Sequence, residues 1–217
     1  MKLSQLKIDP EFQSKIPPLQ FEEEQQLEQN IIAEGRLLNP IITWNGYILD
    51  GHTRYRILKK HGFIKFEVEE IQLANKYEAL AWICKNQLGR RNLSPERKKF
   101  LLGKEYESTK LAVGGQPGNC NKVNRCDQND HIDSEKRTCE RIAVEHGVGS
   151  ATVRRAEKYS RGIDAAEEAV PGAQEEILTG RIKATDAQID ALPAIPKEER
   201  PAILDELRKE KLGGPLL

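Results

Sequence analysis

Seven consecutive residues, Asp50-Gly51-His52-Thr53-Arg54-Tyr55-Arg56, concentrate the chain's clearest chemistry. A glycine lets the backbone turn tightly. The free N–H groups and positive dipole end of a following helix then form an anion site, to which His52, Thr53, Arg54 and Arg56 add donors. Guanidinium groups match phosphate oxygens two at a time, so a polyphosphate is the natural ligand. The residues equally allow Arg54 and Arg56 to lie on a solvated helix face, paired with carboxylates.

Two further segments carry functional residue types. Asn86-Gln87-Leu88-Gly89-Arg90-Arg91-Asn92-Leu93-Ser94-Pro95 falls at a helix end and offers Asn86 as an oxygen ligand and Arg90 or Arg91 as phosphate partners. Basic residues complementing a helix C-terminus explain the arginines alone, but not the asparagines. From Cys139 to Ala156 the chain meets the demands of a helix-turn-helix: small Ala143 in the first helix, Gly147 at the turn, and Ile142, Val148, Val153 and Ala156 to close a small core. Ser150, Ala151, Thr152, Arg154, Arg155 and Lys158 then face the major groove of double-stranded DNA, where hydroxyls suit phosphate and arginines suit phosphate or guanine edges. An αα-hairpin with a solvated basic face is the alternative.

Cys120, Cys126, His131 and Cys139 are separated by five, four and seven residues, with no C-x-x-C pair. These spacings match no common zinc finger, so no zinc is expected and the thiols are read as free.

The elements that position these groups are legible in outline. Glu22-Glu23-Glu24 opens and Gly35 closes a helix over 20–34. Asn45-Gly46 between Ile41-Ile42-Thr43-Trp44 and Tyr47-Ile48-Leu49 predicts a hairpin with a type I′ turn. A helix follows Gly51, an extended segment spans 66–71, and Asn75 caps a helix over 76–88 with Ala79, Leu80, Ile83 and Cys84 on one face. Ser94-Pro95-Glu96 starts another helix, reaching about Leu111. Residues 113–133, rich in Gly, Asn, Asp and Gln, read as a mobile loop, and short helices broken by Pro and Gly fill the tail. The expected domains are 1–92, 93–162 and an acidic helical tail, 163–217.

Charge follows the same division. The chain has 34 basic and 34 acidic side chains, but residues 85–161 hold 17 basic against 10 acidic (net +7), residues 1–84 hold 10 against 12 (net −2), and residues 162–217 hold 7 against 12 (net −5). A neutral whole therefore does not exclude a polyanionic partner, because contact depends on the local field. No apolar run approaches the ~20 residues of a membrane span. The first residues lack the apolar segment of a signal peptide, so a cytoplasmic protein is expected.

In this order the pieces resemble the ParB/sulfiredoxin-like superfamily, and within it the ParB-type partition proteins of plasmids and integrative elements. The resemblance covers about 7–160 and rests on the early helix, Gly35-Arg36-Leu37-Leu38-Asn39-Pro40-Ile41, the Asp50–Tyr55 loop, the Asn86–Pro95 segment and the helix-turn-helix. It implies an α+β nucleotide-binding domain, a small mixed sheet with helices, followed by an all-α DNA-binding domain. The family's Gly-Glu-Arg-Arg phosphate loop falls on Gly51-His52-Thr53-Arg54, where only the glycine and final arginine match. Its Glu-Asn pair near magnesium falls on Lys85-Asn86, and its Arg-x-x-Leu-Asn-Pro stretch is matched by Arg90 to Pro95. The resemblance implies CTP or ATP with magnesium, a homodimer, a partition ATPase as partner, and nucleoid or plasmid association. The departures leave the nucleotide, and its slow hydrolysis, open.

Relatives within the superfamily bound the alternatives. Sulfiredoxins place a cysteine where His52 stands, which argues against that chemistry here. Free-serine kinases carry a similar Asp-Gly-His loop, so a small-molecule kinase is a second reading. A plain helix-turn-helix regulator with a vestigial pocket is a third.

Overall fold

A computed structural model describes residues 2–62, 64–90, 92–112 and 138–209. Arg91, the loop expected over 113–133, and with it Cys120, Cys126 and His131, lie outside these residues. The chain forms two units, Met1–Gln87 and Leu88–Leu217.

In the first unit, Asn45 and Gly46 adopt the positive φ of 50° and 77° that the turn between β1 (Ile41–Trp44) and β2 (Tyr47–Asp50) requires. β1 is central, antiparallel to β2 and parallel to β3 (Val68–Glu70), giving the order β2-β1-β3. Ile42 faces Asp50 while Thr43 faces Ile48, so Leu49 is an extra residue in β2. Ile48 and Leu49 are both fully buried, each in a different core. Ile41 and Ile48 pack with Ile31 of α2 (Phe21–Glu34) and with Tyr55, Ile57 and Leu58 of α3 (His52–Lys60). Leu49 packs with Phe12 of α1 (Pro10–Ser14) and with Ala79, Leu80 and Ile83 of α4 (Lys76–Leu88). Asn75 caps α4 as expected, its Oδ1 accepting from the N–H groups of Tyr77 and Glu78, both at 3.0 Å. Alternation along two short strands thus feeds two helical layers.

The second unit is all helical. α5 (Pro95–Ala112) begins at the Ser94 hydroxyl, which accepts from Arg97 N–H at 3.2 Å. Leu102 and Tyr106 of α5 share a core with Cys139, Ile142 and Ala143 of α6 (residues 138–145) and with Val153 and Ala156 of α7 (Ser150–Ala169). Gly103 lets α5 and α7 touch: a Cβ there would lie 2.1 Å from the Ala156 carbonyl oxygen. Gly162 does the same against Ile189 of α9 (Asp186–Ala191).

Two expectations are corrected here. The boundary expected after residue 162 falls inside α7, a continuous helix of 20 residues. The tail helices α8 (Ala173–Leu178), α9 and α10 (Arg200–Lys209) belong to the same unit as α7 and bury Ile177, Leu178, Ile189, Leu204 and Leu207. Val148, expected in the helix-turn-helix core, lies at the surface with 36% exposure. Its N–H bonds the Ala143 carbonyl across the glycine turn at 2.9 Å, so Val148 holds the turn through its backbone rather than its side chain.

Candidate functional site

The extra residue in β2 re-aims the end of the strand, where Asp50 and Gly51 lead into α3. Gly51 takes φ = 101° and caps α3 without a side chain. The first intrahelical bond runs from Tyr55 N–H to the Gly51 carbonyl at 2.8 Å, so the preceding N–H groups of His52, Thr53 and Arg54 are the helix's open donors. Together with the helix dipole they favour an anion.

Arg54 folds back over Gly51, close enough that a Cβ there would lie 3.0 Å from its Nη2. Its Nη2 donates to Asp50 Oδ2 at 2.8 Å and to the Pro40 carbonyl at 3.0 Å. The Asn39-Pro40 approach therefore shapes the site as well as leading into β1. The Arg54 Nε is buried with no hydrogen-bond partner among the described residues. Arg56 points away, pairing with Glu24 of α2 at 3.1 Å and donating to the Thr53 hydroxyl at 3.4 Å. Each arginine is thus paired with a carboxylate, and Arg54 is so paired beside the start of α3.

His52 is 7% exposed, and neither ring nitrogen has a partner among the described residues. Burial pushes the imidazole down to about 4, against the pull of the Asp50 carboxylate and with a push from Arg56. It is therefore neutral at pH 7, with one N–H to donate and one lone pair to accept. Unpaired polar atoms in a buried setting call for a ligand or water to complete them.

Asn86 is exposed on the last turn of α4, available as an oxygen ligand, while the neighbouring Gln87 is fully buried. Neither Gln87 Oε1 nor Nε2 has a hydrogen-bond partner among the described residues. Sequence reasoning selects Asn86 and passes over Gln87. A signal for it exists, since Gln87 follows Ala79, Leu80 and Ile83 on the stripe that faces the core. Arg90 is exposed and belongs to the second unit, and Arg91 lies outside the described residues.

In the second unit, Gly147 turns the chain at φ = 65° between α6 and α7. Ala151, Thr152, Arg154, Arg155 and Lys158 are exposed on α7, with Ser150 half-buried at its start. Val153 and Ala156 are fully buried on the opposite face. Arg154 and Arg155 enter no ion pair among the described residues, whereas Arg97, Lys99 and Lys104 of α5 pair with Glu175, Asp186 and Asp164. Cys139 is buried, its Sγ donating to the Ser150 carbonyl at 3.2 Å, which ties α6 to the start of α7. No cluster of three or more His, Cys, Asp or Glu capable of holding a metal occurs among the described residues, and no described helix is long and apolar enough to cross a membrane.

The architecture is that of the ParB N-domain, an α+β fold with a small sheet and many helices. A solved structure, the pNOB8-like ParB N-domain in its C2221 crystal form, matches with a TM-score of 0.51 over 98% of this chain and 94% of that one, at 18% identity. A second structure of the pNOB8-like ParB N-domain matches with a TM-score of 0.49 over 97% and 88%, also at 18% identity. The likeness is one of fold. No family model matches the sequence, and no curated protein matches it.

Proposed function

We propose that this chain is a DNA-binding partition or regulatory protein of a mobile element, switched by a nucleotide held at the head of α3. The observation that carries the DNA reading is the exposed start of α7. There, Arg154 and Arg155 lie without ion pairs among the described residues, behind a glycine turn, in a chain with the ParB N-domain fold. Free guanidinium groups on an exposed helix start are what phosphate contact and major-groove reading need.

The nucleotide reading is supported by the open N–H groups of α3 and by the buried His52 ring and the Arg54 Nε, which have no partners among the described residues. Triphosphate oxygens would accept from these donors, with the Thr53 hydroxyl as a further one. Magnesium brought with CTP or ATP would offset the phosphate charge, and Asn86 is the oxygen ligand on offer from α4. Binding draws Arg54 away from Asp50 and so alters the loop between β2 and α3. A partition ATPase and a second copy of the chain are the partners this reading implies.

Selection of bound genomic or plasmid fragments, with and without CTP and ATP, tests both halves. Enrichment of a defined site, with a yield that changes on adding one nucleotide, is the expected result. Site enrichment indifferent to both nucleotides leaves a plain helix-turn-helix regulator, and no enrichment removes the DNA reading.

A further inference from the structure

Helical periodicity puts Ala151, Arg155, Lys158 and Gly162 on one face of α7, four, three and four residues apart. The first three are exposed, and Gly162 is buried. What covers it is α9: a Cβ on Gly162 would lie 2.1 Å from the Ile189 carbonyl oxygen and 2.7 Å from its carbonyl carbon. The backbone of α9 therefore rests on the face of α7 that carries Arg155 and Lys158. It meets that face one turn beyond Lys158 and about 10 Å along the axis from Arg155.

α9 is an acidic element. Ile189 is its fully buried anchor, and Asp186 and Asp190 are exposed on it. Asp186 is taken up by Lys99 of α5. Asp190 forms no ion pair among the described residues, and it stands near enough to Lys158 for their charges to interact. Arg154 and Arg155 stand a turn nearer the start of α7, away from the contact with α9. A phosphate approaching Lys158 thus meets the field of a carboxylate at the same place, at a distance over which salt screens little.

We propose that α9 closes the DNA face of α7 after its second turn. Asp190 acts there through Lys158, keeping that lysine out of phosphate contact and confining the grip on DNA to the turns that carry Arg154 and Arg155. The inference rests on the DNA reading of α7 and adds where that surface ends. It departs from the expectation that Lys158 shares the groove with the two arginines. Phosphate attraction carries no sequence information, so trimming it at the far end of a 20-residue helix lowers binding to arbitrary DNA.

The test compares the full-length chain with Asp190→Asn, Lys158→Ala, the double variant and Glu198→Gln. Each is titrated against a labelled duplex of arbitrary sequence by fluorescence anisotropy over a salt series. Glu198 is an exposed acid next to Lys197, which pairs with Glu168 at the far end of α7, so its loss changes the net charge equally. Asp190→Asn is expected to tighten binding about three-fold, the scale of one exposed charge pair. It should also steepen the slope of log affinity against log salt by about 1, as Lys158 gains a phosphate. Lys158→Ala should change neither quantity by itself and should cancel both gains in the double variant, while Glu198→Gln matches the wild type. A wild-type chain that binds no duplex even at low salt removes the DNA reading and the inference with it. Where the wild type binds, an unchanged Asp190→Asn, an equal gain in Glu198→Gln or a gain that survives Lys158→Ala removes the inference alone. A loss on Lys158→Ala by itself also overturns it, since that marks a phosphate contact already made.

Discussion

The Arg54 guanidinium lies 2.8 Å from the carboxylate of Asp50, one helical turn before it and on the other side of Gly51. Arg54 is thus already held by an anion, and under the nucleotide reading proposed above an incoming phosphoryl group would have to compete for it. Both partners are largely shielded from water, so the competition matters more than it would on an open surface. Asp50→Asn removes the competitor while retaining a hydrogen-bond acceptor. We expect it to raise the affinity for inorganic triphosphate by about ten-fold, the scale of one charge-assisted hydrogen bond, and Arg54→Ala to abolish that gain. Calorimetry without magnesium checks both, and a fall in affinity for Asp50→Asn counts against Arg54 as a phosphate ligand.

His52 makes folding sensitive to mild acid. Burial holds its imidazole at about 4 in the folded chain, against an ordinary value of 6.5. As pH falls below 6.5 the unfolded chain takes up the proton first, so stability is full above that pH and declines down to about 4. Below that, both states are protonated and this contribution is flat. The loss is on the order of 3 kcal/mol. Urea unfolding at steps between pH 7 and pH 4 should show a steeper decline for the wild-type chain than for His52→Leu. Parallel curves would mean that the ring gains a proton as easily folded as unfolded.

Gly103 is the position at which α5 and α7 touch. A Cβ there would meet the Ala156 carbonyl oxygen at 2.1 Å and the carbonyl carbon at 2.5 Å, and these backbone atoms cannot yield as the end of a flexible side chain could. Gly103→Ala is expected to destabilise the second unit by about 2 kcal/mol or more through overpacking, despite alanine's better helix propensity. Gly147→Ala, where no atom lies within 4 Å, should cost only the strain of its positive φ. Chemical denaturation of the two variants side by side decides whether close approach or backbone conformation is the stronger constraint.

Arg154 and Arg155 are exposed on α7 and enter no ion pair among the described residues. If both contact phosphate, replacing both by alanine should weaken DNA binding at all sequences. It should also reduce the slope of log affinity against log salt by about 2, close to one per lost contact. Should one arginine read a guanine edge instead, the slope changes by about 1 and preference at a single base pair relaxes. Fluorescence anisotropy over a salt series distinguishes these outcomes, and an unchanged affinity would remove this helix face as the reader.

Much of the fold is legible because it is written in local signals. The Asn45-Gly46 turn, the Asn75 and Ser94 caps and the acid-rich start and Gly35 end of α2 act over a few residues, and the structure has each where those signals stand. Val148 departs from its expected place because apolar character near a turn does not specify whether the side chain or only the backbone takes part. α1, a single turn carrying the buried Phe12, has too short a pattern to declare itself. Gln87 escapes a reading by residue type because a polar residue next to Asn86 invites attention to chemistry that points outward, whereas its place on the α4 stripe points it inward.

Caps, turns and periodicity are properties of neighbours in the chain. The elements, the glycine that opens α3, the basic stretch of the middle third and the glycine turn before α7 are therefore all present in the order of residues alone. Which charges are free is settled instead by tertiary packing. Of the cations behind the +7, Arg97, Lys99 and Lys104 are matched by Glu175, Asp186 and Asp164 from the last third of the chain, while Arg154 and Arg155 are left open among the described residues. Packing decides in the same way that Arg54 is held by Asp50 and that His52 and Gln87 are buried without partners among the described residues. Pairing and desolvation depend on what lies within a few ångströms across elements distant in sequence, and no count along the chain contains that distance.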